Sequence, residues 1–311
     1  MLKISIIIPL FNAEKFIARA LESCIRQTYS NIEIIVVDDK SEDKSIEIVK
    51  QFCQTDERIH LIENDSNLGP FACRNKGAIY ANRVEGGQIL MFLDSDDILE
   101  KNACREVALS FQDGIDLCIF QFRRQEGEIQ YQENSWFNRD LSLSLDEFEK
   151  LWIDNGGSNL INSLWNKAFK TEIFIQNLEQ NLKNIKERLL MAEDAMVSIS
   201  CLSYVKKVKL LNQPLYIYCV NENSATQEKT NLSKIALYLQ NLLFAINFLK
   251  HLPQISLKSH NIFIGIAICN LKIHYLDLQK SINKGFFYRL GLKIKRKRVK
   301  ILKNKLLKSP F

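Results

Sequence analysis

Nearly continuous apolar runs alternate with amphipathic stretches through the first third of the chain. Lys3 to Pro9 reads as a strand that is apolar on both faces, the pattern of a sheet covered by helices on each side. Phe16, Ile17, Ala20, Leu21, Cys24 and Ile25 then recur at helical spacing, and Asn12 stands where it can cap that helix. Ile32 to Val37 predicts a second buried strand, ending at Asp38-Asp39, with a helix over 44–54 behind it. Ile59 to Ile62 is a short third strand. Asn67-Leu68-Gly69-Pro70 signals a loop, and a helix over 71–81 carries Arg74. Ile89 to Leu93 is a fourth strand, ending at Asp94-Ser95-Asp96-Asp97; a helix over Ile98–Leu109 and a strand over Leu117–Phe122 complete the region.

Strands alternating with helices predict a mostly parallel sheet with right-handed crossovers. Ligands of such sheets bind beyond the carboxyl ends of the strands. The polar clusters at 9–12, 38–39 and 94–97 all fall at predicted strand ends, and that coincidence carries more weight than any one cluster.

Beyond this region the pattern changes. Residues 123–143 are polar and read as irregular. Ser144 with Glu147 makes a capping box before a helix. Helical and short extended segments continue to about Tyr218, and from Leu232 long apolar stretches interleaved with Lys read as helices. The expected fold class is α/β with a helical C-terminal extension. The expected division is a domain over 1–225, in halves 1–112 and 113–225, followed by a helical region over 226–311.

The 311 residues, 46% hydrophobic and 25% charged, suit a globular protein with a sizeable core. Eight scattered cysteines without a C-x-x-C pair disfavour a zinc site and point to a reducing compartment. No basic segment followed by an apolar one opens the chain, so no secretory signal is expected. No uninterrupted apolar run approaches the roughly 20 residues that span a bilayer, so no crossing is expected. Charge is uneven. Residues 285–311 hold ten of the 42 basic residues and none of the 36 acidic ones, leaving 32 basic against 36 acidic elsewhere. Aromatic and aliphatic residues in that basic tail suit an anionic lipid surface. Nucleic-acid binding is disfavoured beside it, and a solvated disordered tail is the plain alternative.

The chemistry-bearing candidates are few. No phosphate-binding glycine loop follows the first strand, which disfavours a kinase or a dinucleotide dehydrogenase. That strand ends instead in Pro9-Leu10-Phe11-Asn12, where an aromatic ring can stack on a flat base. Asp94 and Asp96 flank Ser95 on a predicted turn and can converge on Mg²⁺ or Mn²⁺; capping of the 98–109 helix is the alternative. Asp38 and Asp39 can accept hydrogen bonds from a base and a ribose, or cap the helix after Ser41. Arg74 suits oxyanion recognition, or a surface ion pair. Glu193 and Asp194 sit in an apolar stretch where a carboxylate can serve as general base, or form a helix surface pair. Trp165-Asn166-Lys167 can line a pocket or pack in the core, and the four histidines show no metal-ligand spacing. A D-x-D hydrolase with Asp94 as nucleophile is disfavoured because its acids follow the fourth strand and Ile98 fills the later position. A non-catalytic nucleotide-binding scaffold at the membrane is the alternative of another class.

Ile6-to-Asn12, Ile32-to-Asp39, Asn67-Leu68-Gly69, Ala72-to-Gly77 and Met91-to-Asp97, in this order, resemble the family-2 glycosyltransferases with the GT-A fold. The resemblance is dense over 1–112 and returns at Trp165-Asn166-Lys167 and Ala192-Glu193-Asp194. Leu21-to-Thr28, Asn102-Ala103-Cys104 and Met191-to-Asp194 look like the bacterial lipooligosaccharide galactosyl- and N-acetylgalactosaminyltransferases, which are inverting and use UDP-sugars. The resemblance implies that 1–112 binds the nucleotide-sugar and 113–225 the acceptor. It implies that Pro9 and Phe11, with Asn12 beside them, flank the uracil. Asp38, Asp39 and Arg74 contact the base, Asp94 and Ser95 lie by the ribose, and Asp96 with Asp94 binds the metal. Asp194 is then the general base, and Glu193 holds or orients the acceptor. The reaction implied moves galactose, or alternatively GalNAc, GlcNAc or glucose, from a UDP-sugar to a hydroxyl of a lipooligosaccharide or other surface glycan at the inner face of the cytoplasmic membrane. Relatives carry a His or Arg near the segment Tyr216-to-Val220, before Asn221-to-Thr226. This chain has neither there, which puts a third protein ligand to the metal in doubt.

Overall fold

The computed structural model describes residues 1–83, 87–132, 136–221, 232–253, 258–282 and 286–308. The chain divides into two compact units. The first comprises Met1–Leu143, Leu164–Arg188 and Tyr204–Glu228; the second comprises Ser144–Ser163, Leu189–Ser203 and Lys229–Phe311. The division therefore differs from a single cut near residue 225: two internal segments group with the C-terminal helices. The expected 225/226 boundary and residues Glu222 to Thr226 lie outside the described residues, as do Gly285 and Ser309 to Phe311 of the basic tail.

The first unit is built on strands β1 (Lys3–Leu10), β2 (Ile32–Asp38), β3 (Ile59–Glu63) and β4 (Gly87–Phe92), with helices α1 (Ile17–Ile25), α2 (Ser45–Thr55) and α3 (Pro70–Arg83) between them. Ile4, Ile6, Ile7 and Ile8 of β1 and Ile34 to Val37 of β2 are fully buried, as near-continuous apolar strands must be. The chain continues through β5 (Ile98–Leu99), α4 (Ala103–Ser110), β6 (Leu117–Glu126), β7 (Ile129–Gln132) and β8 (Leu141–Ser144). After α5 (Leu145–Asp154) come β9 (Lys167–Lys170), α6 (Thr171–Asn177), α7 (Glu193–Cys201) and β10 (Lys207–Cys219). The sheet runs in the order β3-β2-β1-β4-β9-β6-β10-β5, with β7 on β6 and β8 on β10. β1 is parallel to β2 and β4, whereas β9 is antiparallel to both β4 and β6.

Register aligns the strand ends. Leu10 pairs with Asp38, Asp38 with Glu63, and Ile7 with Phe92, so the residues after β1, β2 and β4 emerge at one edge. Helix α3 lies tight against β1 because Gly77 lacks a side chain. A Cβ there would stand 2.6 Å from Ile7 Cγ2. Arg74 precedes Gly77 by one turn, so this close approach carries its guanidinium to the same edge.

Three local expectations differ from the structure. Asn12 does not cap α1, which begins at Ile17; its Oδ1 accepts from the Glu42 N–H at 2.8 Å, joining the loops that follow β1 and β2. Ile98 and Leu99 are not helical but pair antiparallel with Ile217 and Tyr216 of β10, and α4 starts only at Ala103. The polar stretch 123–143 is not irregular throughout: β6 runs on to Glu126 and turns at Gly127 (φ 60°) into β7, then β8 follows. Glycine there meets the positive φ of a tight hairpin, which a polar composition alone conceals.

The second unit holds α5, α7 and the helices α8 (Leu232–Lys250), α9 (Lys258–Ile282) and α10 (Phe286–Leu307). The predicted capping box forms: Ser144 Oγ accepts from the Glu147 N–H, and Glu147 Oε2 accepts from the Ser144 N–H at 2.8 Å. Glu149 of α5 and His260 of α9 are fully buried and hydrogen-bonded to each other, and Ser259 Oγ donates to Glu149 Oε2 at 3.0 Å. His260 thus has a structural place. Against expectation, Ser259–Gln279 is long and apolar enough by length and composition to cross a membrane, although half of its apolar window is buried inside the structure. The polar residues Asn261, Asn270 and Lys272 interrupt it, so no unbroken run exists in the sequence. All eight cysteines are free thiols, and only Cys53 is not buried.

Gly77→Ala tests the contact that seats α3. Alanine favours a helix, but here its methyl overlaps a buried isoleucine in a packed core. We expect a net loss of about 1–3 kcal/mol in urea unfolding; an unchanged or higher midpoint would show that Ile7 yields freely.

Candidate active site

The polar edge of the first unit is organised by reciprocal side chain–backbone bonds. The Asn12 N–H donates to Ser41 Oγ at 3.0 Å, and the Ala13 N–H to Ser45 Oγ at 2.8 Å. The Asp38 carboxylate accepts from the Ser41 N–H at 3.1 Å. These bonds zip the loop after β1 to the loop after β2. Pro9 is half-buried beneath them, while the Phe11 side chain is 48% exposed beyond the strand. An aromatic surface of that kind is open to stack on a planar ligand.

Asp39 holds the neighbouring turn in place. Its Oδ1 accepts from Asn64 Nδ2 at 3.1 Å and from the Leu68 N–H at 2.8 Å, and its Oδ2 accepts from the Gly69 N–H at 2.8 Å. The carboxylate holds the Asn67-Leu68-Gly69 turn, where Gly69 takes φ 89°. Neither Asp38 nor Asp39 caps α2 in the manner of the alternative reading; its N-cap, Lys44, makes no side-chain cap bond.

The acid turn after β4 is the densest charge cluster. Asp94 Oδ1 accepts from Arg74 Nη2 at 2.7 Å, with the Arg74 side chain only 7% exposed. Arg74 is therefore a buried partner of Asp94 and not a surface pair. Asp97 is fully buried; its Oδ2 accepts from Tyr216 Oη at 2.6 Å and its Oδ1 from the Cys219 N–H at 2.7 Å. Arg19 donates to the Asp96 carbonyl. Helix capping does not explain these acids, since the next helix begins at Ala103.

Burial, and then the neighbouring Asp94 charge, raises the Asp96 carboxyl to about 6; Arg19 and the Asn221 side chain oppose the rise. Burial raises Asp97 further, with Asp94 and Asp96 adding to it and the bonds from Tyr216 and Cys219 opposing. Among the described residues no group of three or more His, Cys, Asp or Glu is arranged to hold a metal by itself. Asp94 and Asp96 nevertheless offer hard oxygens in a turn whose negative charge is poorly tolerated. That donor set fits Mg²⁺ or Mn²⁺ completed by a ligand's diphosphate.

The remaining candidates fall elsewhere. Trp165 is half-buried, stacked on Tyr216 at 4.8 Å between ring centres and close to Tyr218 at 6.0 Å. Lys167 is wholly buried and donates to Asn166 Oδ1 at 2.9 Å. Glu193 and Asp194 belong to the second unit, half-buried in the first turn of α7, where the helix dipole favours acids. Ala192 before them takes φ 66°, a left-handed conformation uncommon for alanine. Sequence reasoning missed Tyr216, Arg19 and Asn221. Tyr216 lies on a strand more than a hundred residues after the acids it meets, and no spacing signals such a contact.

The chain matches the Glycosyl transferase family 2 profile over residues 5–178, more than half its length, and so belongs to that family. Glycosyltransferase GlyA of Streptococcus pneumoniae is 31% identical over 238 residues, covering 72% of this chain and 32% of GlyA. The uncharacterized glycosyltransferase EpsJ of Bacillus subtilis is 29% identical over 225 residues, covering 72% of this chain and 63% of EpsJ. The chain thus spans less than two thirds of either relative. The crystal structure of S. aureus TarS 1–349 in complex with UDP-GlcNAc superimposes with a TM-score of 0.67 over 89% of this chain and 81% of that one. At 18% identity this likeness is one of fold, and the fold is that of the GT-A glycosyltransferases.

The Asp96 shift has a signed consequence. A carboxyl raised from 3.8 to about 6 keeps its proton in the folded chain after the unfolded chain has lost it. The associated stability is complete below the ordinary carboxylate range and is lost as pH rises through about 6. Asp96→Asn is therefore expected to raise the melting temperature at neutral pH, without divalent ions, and to confer no advantage in acid. An equal effect at both pH values would show that Asp96 titrates normally.

Proposed function

We propose that the chain is an inverting, metal-dependent glycosyltransferase that moves a hexose from a UDP-sugar to a hydroxyl of a surface glycan. The observation that carries this reading is the alignment of Phe11, the Asp38 loop, Arg74 and the Asp94–Asp96 turn at one sheet edge of a family-2 fold. Phe11 offers a face to the uracil, with Pro9, Asn12 and Asp38 around it. Asp39, which also holds the Leu68–Gly69 turn, contacts the base with Arg74, and Ser95 and Asp94 lie toward the ribose. Asp96 and Asp94 would hold a divalent ion, which when bound would supply positive charge to the departing diphosphate.

The chain's own groups do the rest. Arg74 orients Asp94 through the bond at 2.7 Å. By its motif, Asp194 is the base, and Glu193 orients the acceptor. The acceptor oxygen bonds to the anomeric carbon as the carbon–phosphate-oxygen bond breaks; Asp194 takes the hydroxyl proton and UDP leaves with the bonding electrons. Galactose is the donor sugar proposed, on the lipooligosaccharide-transferase-like segments, with a lipooligosaccharide as acceptor. TarS, crystallised with UDP-GlcNAc, supports a UDP-sugar donor and keeps GlcNAc as the alternative, alongside GalNAc and glucose.

Calorimetric titration of UDP, UDP-galactose and UDP-N-acetylgalactosamine, with and without Mn²⁺, tests the donor. Binding is expected to strengthen with Mn²⁺ in the wild type and to lose that gain in Asp96→Ala. Folded protein that binds none of the three would overturn the UDP-sugar reading.

The second unit supports a place at the inner face of the cytoplasmic membrane. On α10, Ile301 and Leu302 are 48% and 47% exposed, and Lys297, Arg298, Lys300 and Lys305 around them are exposed as well. An apolar patch ringed by cations suits anionic lipid, each cation adding about 1 kcal/mol. The full chain is expected to sediment with phosphatidylglycerol-containing vesicles but not with phosphatidylcholine alone. Replacing Ile301 and Leu302 together by Glu should abolish sedimentation while leaving UDP affinity intact. Equal sedimentation of that variant would remove α10 as the contact.

A further inference from the structure

We propose that Tyr216 and Asp97 form a clamp that presets the Asp94-Ser95-Asp96 turn for a divalent cation, which makes Tyr216 a positioning residue. The proposal rests on the metal-dependent reading above and adds to it residues outside the metal-binding pair. Tyr216 is fully buried and its ring is fixed by the stacked Trp165 indole, 4.8 Å away and inclined by 29°. Its backbone is fixed as well, by pairing with Leu99 of β5. The hydroxyl consequently sits at one point. It donates to Asp97 Oδ2 at 2.6 Å and accepts from the Asp94 N–H at 3.2 Å. Asp97 in turn accepts from the Cys219 N–H at 2.7 Å, and its own N–H donates to the Asp94 carbonyl at 3.0 Å.

Both ends of the acid turn are thus tied to β10, while Asp94, Ser95 and Asp96 remain half-exposed. A four-residue turn without such ties samples several backbone states, and ordering it on ligand binding lowers affinity. A cation needs its oxygens placed within tenths of an ångström. Here the placement is completed during folding, by a tyrosine hydroxyl held between Asp97 Oδ2 and the Asp94 N–H. The segment Tyr216–Val220 carries no His or Arg. It contributes through Tyr216 and the Cys219 N–H, as support for the turn.

The plain alternative is that this buried network only fastens β10 to β5. The two readings separate in the folded protein. Tyr216→Phe removes one hydroxyl and keeps the ring stacked on Trp165; Asp97→Asn keeps the carboxyl's shape and changes its hydrogen bonding. For the full-length wild type, both single variants and the double variant, free Mn²⁺ is measured by electron paramagnetic resonance in the presence of UDP. Melting temperature and metal-free UDP affinity are measured beside it. Each single variant is expected to bind Mn²⁺ roughly 10- to 100-fold more weakly, as loss of supporting partners does elsewhere. Metal-free UDP affinity should be unchanged, and the double variant should be no worse than the weaker single one, because the groups act as one unit. A folded Tyr216→Phe with lowered melting temperature and undiminished Mn²⁺ affinity would overturn the clamp; should that variant not fold, Asp97→Asn is read in its place. Wild-type protein that binds UDP but no Mn²⁺ would overturn the metal reading itself, a failure visible without any substitution.

Discussion

Strand β1 is closed on every side, and the site depends on that closure. Its two edges are taken by β2 and β4. Its side chains from Ile6 to Ile8 are fully buried, and Gly77 presses α3 against Ile7. A strand so enclosed has no room for chemistry along its length, because an unpaired polar group there would cost several kcal/mol by rough estimate. Within it Ser5 is accommodated only because its Oγ donates to the buried Glu33 carboxylate; groups free to meet a ligand appear where the strand ends. Parallel pairing then puts the ends of β2 and β4 beside it, and the acids after those two strands meet the Phe11–Asn12 turn after β1 without any one of them having to reach.

This is why so much was legible in the sequence. Apolar runs such as Ile32 to Val37 state their burial directly, and the residues that break them state where the sheet edge lies. The Ser144–Glu147 capping box and the C-terminal helices were legible for a similar reason: their signals are local, within a few residues. What stayed hidden is non-local. β5 is two residues long and exists because β10 offers it open backbone groups at Tyr216 and Ile217. β9 enters the sheet antiparallel between β4 and β6, and four residues carry no periodicity that could announce it.

Among the site residues the same distinction holds. Asp38, Asp39, Arg74 and Asp94 were legible as strand-end polar residues, but their partners within the fold were not. Asp39 accepts from the Asn64 side chain and the Leu68 and Gly69 amides, and Arg74 is buried against Asp94. Partners decide roles, and partners such as Asn64 or Tyr216 come from other parts of the chain. Asp194 illustrates the limit from the other side: its place at the start of α7 fits both a general base and an acid that complements a helix dipole.

The three acids of the turn are compensated unequally, and the inequality has a chemical direction. Asp94 has a full positive charge beside it, the Arg74 guanidinium at 2.7 Å. Asp97 has two strong donors, Tyr216 Oη and the Cys219 N–H. Asp96 has its own backbone N–H and the Asn221 side chain, both neutral groups, while Arg19 places its donated bond on the Asp96 carbonyl and aids the carboxylate only through space. Its carboxyl accordingly rises to about 6, so at neutral pH the folded chain carries an anion that its surroundings disfavour. A divalent cation relieves that cost, and a protonated acid does not bind it well. Asp97 rises further still but is sealed beneath Tyr216 and the Cys219 N–H, so Asp96 is the disfavoured anion that stays half-exposed and open to neutralisation from outside.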